Sequence, residues 1–83
     1  MIYLILSEEG FNELLQFADK RQDKLWLNSG IVSDEAVAAS IKTGWQLNVF
    51  SQSIDANSEQ SIVKAIKYLE KKWPDETIEV EFL

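Results

Sequence analysis

A run of five apolar residues at positions 2–6, Ile-Tyr-Leu-Ile-Leu, constrains the fold of this chain more than any other feature. The run contains β-branched and aromatic residues and no polar residue at alternate positions, which is typical of a strand buried on both faces. Strands of that kind occur in parallel sheets that carry helices on both sides. The run therefore predicts an inner strand of an α/β domain.

Helical and strand-like segments alternate along the rest of the chain. In the first helix, apolar residues recur at i, i+3, i+4 and i+7 from Phe11. Gly44 is placed to end the second helix and Pro74 the third. The predicted helices cover residues 7–22, 33–43 and 57–73, with Ser33 or Asp34 opening the second and Asn57 or Ser58 the third. The other predicted strands cover residues 24–27, 45–50 and 77–83.

The segment order βαβαβαβ predicts one domain over residues 1–83, with three helices and a four-stranded, mostly parallel sheet. The first two strands are apolar on both faces, whereas the last two alternate. We therefore expect the strand order 2-1-3-4, with the first helix on one face and the second and third on the other. The last strand could also run antiparallel.

The chain contains no cysteine and no histidine. These absences exclude disulfides, thiolate metal sites, imidazole metal ligands and the commonest general base. No glycine-rich phosphate loop is present, because Gly10 and Gly30 stand alone without a following lysine. The sequence therefore favours a protein without catalytic activity, metal or cofactor.

Fourteen acidic against eight basic residues give a formal charge of −6. Such a charge argues against general affinity for nucleic acids and anionic membranes. The longest apolar run is far too short to span a bilayer, and the amino terminus lacks the pattern of a signal peptide. We expect a soluble protein in the cytoplasm.

The third predicted helix carries the one basic stripe of the sequence, formed by Lys64, Lys67, Lys71 and Lys72. It could meet phosphates or an acidic partner. More often, a stripe of this kind is the solvated face of an amphipathic helix. Because Arg21 is the sole arginine, the stripe does not indicate a nucleic-acid reader.

Small polar residues follow the first three predicted strands, where open α/β sheets bind ligands. The residues of this rim are Ser7, Gly10, Asn28, Ser29, Gly30, Ser51 and Ser53. Since each loop leads into a helix start, the rim could bind an anion or a nucleotide weakly. The alternative explanation is that turns and helix caps require the same residues.

A surface for a partner is predicted on the outer face of the last two strands. Its residues are Trp45, Gln46, Asn48, Phe50, Glu79 and Glu81. Trp26 and Trp73 are expected in the core, whereas Trp45 is expected to be partly exposed and so to anchor an interface.

The leading hypothesis is a small accessory protein that binds a protein partner, or its own copy, through this face or the sheet edge. Weak anion or nucleotide binding at the rim is the alternative. A third hypothesis is an acidic decoy that mimics nucleic acid, although the acids are scattered along the chain.

Overall fold

The structure is a computed structural model that describes residues 1–81 of the chain, so the predicted strand residues Phe82 and Leu83 lie outside it. Seven elements follow one another: β1 (Ile2–Ile5), α1 (Glu8–Phe17), β2 (Lys24–Leu27), α2 (Asp34–Lys42), β3 (Gln46–Val49), α3 (Glu59–Lys72) and β4 (Ile78–Glu81). The predicted α/β class and the βαβαβαβ order are confirmed.

The four strands form one sheet in the order β3-β2-β1-β4, with every neighbouring pair parallel. The predicted order 2-1-3-4 is therefore wrong, and β4 is parallel. The physical reason lies in the residue pattern itself. The two strands that are apolar on both faces are the inner ones, and the two alternating strands are the edges, each with a strand neighbour on one side.

Helices α1 and α2 lie on one face of the sheet, and α3 lies on the other. The connections from β1 through β2 to β3 progress in one direction, so right-handed crossovers place α1 and α2 on the same face. The return from β3 across the sheet to β4 runs in the opposite direction and places α3 on the other face. The expectation that the second helix shares a face with the third is therefore wrong.

Each face of the sheet has its own core. On one face, which we call the α3-side core, the buried residues are Ile2, Leu4, Leu6, Trp26, Ile54, Ala65 and Leu69. On the opposite face, the α1/α2-side core contains Ile5, Phe11, Leu14, Leu25, Leu27, Trp45 and Leu47. Full burial of a Leu, Ile or Phe side chain contributes roughly 1.5–3 kcal/mol to stability. Both faces of the inner strands therefore stabilise the fold.

A serine caps the start of each helix. The Oγ atoms of Ser7, Ser33 and Ser58 accept hydrogen bonds from backbone N–H groups three residues further on. The end of α2 is followed by Gly44, whose φ of +104° is readily adopted only by glycine.

The first helix ends at Phe17, five residues before the predicted end at Gln22. The polar side chains that follow compete for the backbone: Asp23 accepts a hydrogen bond from the N–H of Asp19, and Asp19 accepts one from Arg21. Aspartates that bond locally in this way stabilise turns instead of continued helix. No helix in residues 1–81 is long and apolar enough to cross a membrane.

Candidate functional site

The α3 side of the sheet is covered unevenly. The side chains of Gln46 and Asn48 point to this side, because they pair in register with Lys24 and Trp26. Both are exposed, whereas α3 packs on β1, β4 and the Trp26 side of β2. On this side of the sheet, α3 therefore leaves β3 uncovered.

A groove of about 440 Å³ lies where α3 leaves β3 uncovered. It is lined by Trp26, Val49, Phe50, Ser51, Gln52, Ser53, Ile54, Ser61, Lys64, Ala65 and Tyr68. Its lining thus combines aromatic and aliphatic side chains with small polar groups, and it carries one charged side chain. That mixture is typical of binding sites, in which an apolar lining supplies contact area and a few polar groups fix orientation.

Three aromatic rings of the groove contact one another. The ring of Trp26 lies 4.9 Å from that of Phe50 and 5.7 Å from that of Tyr68, measured between centroids. Phe50 and Tyr68 complete the set at 5.9 Å. Trp26 is 6% exposed and forms the floor, whereas Tyr68 is 50% exposed and forms a wall. Aromatic rings held in place by their neighbours offer contact area at little entropic cost.

The indole N–H of Trp26 has no hydrogen-bond partner within residues 1–81, although its nitrogen is buried. A buried donor without an acceptor costs roughly 1–3 kcal/mol. This strand position therefore retains an unfavourable polar group beneath the groove.

Lysines stand at both ends of the aromatic cluster. Lys64 lines the groove near the start of α3, and the Nζ atom of Lys72 lies 5.9 Å from the centroid of Trp26 near the helix end. Four of the eight basic and two of the fourteen acidic residues lie in α3, so this helix carries a formal charge of +2 and the rest of the chain −8. Helix α3, which forms one side of the groove, is thus the basic helix of an acidic protein.

The predicted interaction surface is brought together only in part. Gln46, Asn48 and Phe50 share the open face of β3. Trp45 is 7% exposed and packs in the α1/α2-side core, so its expected partial exposure is wrong. Because β3 and β4 are opposite edges of the sheet, Glu79 and Glu81 lie far from the other members.

These two glutamates flank Tyr3 on the α1/α2 side of the sheet, where Glu79 is paired with Tyr3 in register. Burial raises the pKa of Tyr3, and the carboxylates of Asp23, Glu79 and Glu81 raise it further. Tyr3 therefore stays protonated as a neutral phenol at physiological pH.

The residues of the predicted rim are used largely for structure. Asn28 is 7% exposed, and its amide bonds to the backbone of Ile54 in both directions. Ser7 caps α1, and a Cβ on Gly10 would lie 3.3 Å from the carbonyl oxygen of Glu81. Gly10 therefore permits the close approach of helix and edge strand.

The remaining members of the rim separate into two groups. Ser29 and Gly30 form the turn after β2, and Gly30 has a φ of +79°. Ser51 and Ser53 instead line the aromatic groove. The rim is therefore not a single set of free polar groups.

The helix starts next to this rim are acidic. The first turns of the helices carry Glu8 and Glu9 in α1, Asp34 and Glu35 in α2, and Glu59 in α3. Carboxylates at these positions are stabilised by the helix dipole and repel a second anion. Within residues 1–81, no group of three or more acidic side chains is arranged to hold a metal ion.

One row of residues on α3 begins in the groove with Lys64 and Tyr68 and ends at Lys72, beyond the groove lining and near the rings of Trp26 and Trp73. The sequence did not predict this row as a unit. Lys64, Tyr68 and Lys72 stand at i, i+4 and i+8, and so follow one flank of α3. A tyrosine between two lysines at this spacing is the signal that could have identified the row. The lysine spacing alone predicts only the solvated face of an amphipathic helix.

Comparison with models of protein families, with curated proteins and with solved structures finds no match to this chain.

Proposed function

We propose that this chain is a small non-enzymatic interaction domain that binds a protein partner through the aromatic groove and the open face of β3. The observation that carries this proposal is the half-exposed Tyr68, held against Phe50 and Trp26 beside an uncovered edge strand. Tyrosine and tryptophan are enriched at the centres of protein interfaces. Exposed apolar surface with a polar rim is typical of such sites.

The open face of β3 adds groups that can orient a partner. The exposed side-chain amide of Asn48 offers donors and an acceptor. The Nε2 atom of Gln46 already donates one hydrogen bond to the carbonyl oxygen of Arg21, so this amide has one further N–H and its oxygen to offer. Strand β3 has a strand neighbour on one side. Weak anion or nucleotide binding at the rim stays a prediction, and the acidic first turns of the helices weigh against it. Cytoplasmic location and the acidic-decoy hypothesis also stay predictions.

A capture experiment with matched variants tests the proposal. The wild type, Tyr68→Ala and Phe17→Ser are immobilised and exposed to an extract of the source cells. Phe17 is the control, because it is a 65% exposed aromatic residue on α1, on the opposite face of the sheet. Truncation of an anchoring tyrosine typically costs about 1–2 kcal/mol or more of binding free energy.

We expect the wild type and Phe17→Ser to retain the same protein and Tyr68→Ala to lose it, while circular dichroism shows all three to be folded. Loss of the captured protein with Phe17→Ser alone would move the interface to the α1/α2 side. Native mass spectrometry of the wild type provides the second outcome: a dimer disrupted by Tyr68→Ala would make the partner a second copy of this chain.

A further inference from the structure

We propose that the groove recognises an extended acidic segment with the pattern acid-x-apolar-x-acid, an inference that rests on the proposed function. The apolar side chain would pack on the exposed surface of Tyr68 beside Phe50. The two carboxylates would pair with Lys64 and Lys72. The pattern follows from three features of the site: the positive charge of α3, the distance between the two lysines and the cluster of aromatic rings.

The charges around the groove indicate that the bound segment is negatively charged. Lys64 is the one charged side chain that lines the groove, and the described lining contains no carboxylate. Elsewhere the chain is strongly acidic, so a basic segment would be drawn to the other surfaces instead. An acidic segment is repelled by those surfaces and attracted to α3, so charge selects both the partner and its place of docking.

The distance between the two lysines indicates how far apart the two acids of the bound segment are. Lys64 and Lys72 are eight residues apart in α3, which corresponds to about 12 Å along a helix. An extended chain rises about 3.3 Å per residue and places residues i, i+2 and i+4 on one side. Its i and i+4 side chains are therefore about 13 Å apart, and they match the two lysines.

The aromatic rings of the groove indicate an apolar residue at the centre of the bound segment. Tyr68 lies midway between the two lysines on the same flank of α3, and its ring meets Phe50 and Trp26. An apolar side chain at i+2 of the extended segment reaches this position when the acids at i and i+4 reach Lys64 and Lys72. Because the pattern is symmetric, it is compatible with either direction of the bound segment.

Selection from a displayed library of random heptapeptides tests this inference directly. Peptides are selected on the wild type, and their affinities are then measured by calorimetry for the wild type, Lys64→Gln, Lys72→Gln and Tyr68→Ala. Lys42→Gln is the control, because Lys42 is an exposed lysine at the end of α2 on the opposite face. The selected peptides should carry acids four residues apart around an apolar residue.

We expect Lys64→Gln and Lys72→Gln each to weaken binding about two- to fivefold, since exposed ion pairs contribute little individually. Tyr68→Ala should weaken it about tenfold or more, and Lys42→Gln should leave it unchanged. In the double variant Lys64→Glu with Lys72→Glu, the preference should switch to peptides with lysines at the same two positions.

Two other results are distinguishable. Peptides that lose affinity with Tyr68→Ala but lack acids, or are insensitive to both lysine variants, would overturn the acidic pattern and leave the proposed function in place. Peptides that bind Tyr68→Ala as well as the wild type, or a library that yields no binder, would overturn both.

Discussion

Asn28, which follows the carboxyl end of β2, forms two hydrogen bonds with the loop between β3 and α3. Its Nδ2 atom donates to the carbonyl oxygen of Ile54 at 2.9 Å, and its Oδ1 atom accepts from the Ile54 N–H at 2.7 Å. Since both residues are buried, water cannot replace either bond. The Asn28 amide therefore holds the backbone of this loop at Ile54, whose side chain is also buried in the α3-side core.

Asn28→Asp should destabilise the protein by about 2 kcal/mol, because a buried carboxylate replaces the Nδ2 donor and faces a carbonyl oxygen. Urea unfolding measures this change. The matched control is Asn48→Asp, an exposed position on the neighbouring strand, where the change should stay within about 0.5 kcal/mol. Equal losses of unfolding free energy in the two variants would show that the hydrogen bonds between Asn28 and Ile54 do not stabilise the protein.

At the scale of the elements, an ionic cluster joins the amino end of the sheet to the turn between α3 and β4. Glu76 pairs with Lys24 at the start of β2 and with the amino group of Met1 at 3.4 Å. The same amino group lies 3.4 Å from Asp23. The hydrogen bond from Lys24, assisted by the positive charges, holds the pKa of Glu76 below its ordinary value.

This lowered pKa predicts a pH-dependent contribution to stability. A carboxyl group with a lower pKa in the folded state stabilises the protein above its unfolded-state pKa, and the effect is lost as the pH falls through the folded-state value. Glu76→Gln should therefore lower the free energy of unfolding at about pH 7, by no more than about 1 kcal/mol for partly exposed pairs. At about pH 3 the difference should diminish.

Urea denaturation of both proteins at the two pH values measures this contribution. Asp75→Asn is the neighbouring control, because Asp75 is an exposed acid next to Glu76, and its free energy of unfolding should stay within about 0.5 kcal/mol of the wild-type value. A difference between Glu76→Gln and the wild type that is the same at both pH values would contradict the linkage.

At the scale of the whole molecule, the strand order decides which backbone amides are protected. An inner strand of a parallel sheet donates hydrogen bonds to neighbours on both sides, whereas an edge strand donates to one. In the order β3-β2-β1-β4, β2 is an inner strand and β3 is an edge. The order expected from the sequence would make β2 the edge and β3 the inner strand.

Native-state hydrogen exchange should therefore be slower in β2 than in β3, with β1 as the protected reference. Mass spectrometry of peptic fragments that separate residues 24–27 from 46–49 measures this ranking. A slower exchange in β3 than in β2 would contradict the observed order and would also remove the open edge on which the proposed function depends.

Several features of the fold were predictable because they depend on local chemistry. The apolar run at residues 2–6 predicted an inner strand, and the alternation of Ile78, Glu79, Val80 and Glu81 correctly assigned opposite faces. Helix starts were predicted within a residue or two, because capping requires a side-chain oxygen immediately before the first turn. Element type and burial on a single strand follow from neighbours in the sequence.

The candidate site could not be assembled in the same way. Phe50 and Asn48 were expected beside Glu79 and Glu81, but β3 and β4 are at opposite edges of the sheet. The residue pattern shows which strands are apolar on both faces, but it does not say which strands are neighbours: the expected order placed β2 at an edge and β3 inside the sheet. That choice depends on long-range pairing, which costs chain entropy and is determined by the packing of the whole domain.

The sequence by itself therefore determined the α/β class, the element order, the buried strands and a basic third helix in an acidic chain. Only the tertiary structure placed α3 across the sheet from α1 and α2, left the α3 side of β3 uncovered and brought Tyr68 against Phe50 and Trp26. The physical reason is one of distance along the chain. Periodicity and capping act over a few residues, whereas a groove forms between residues that only the folded sheet brings together.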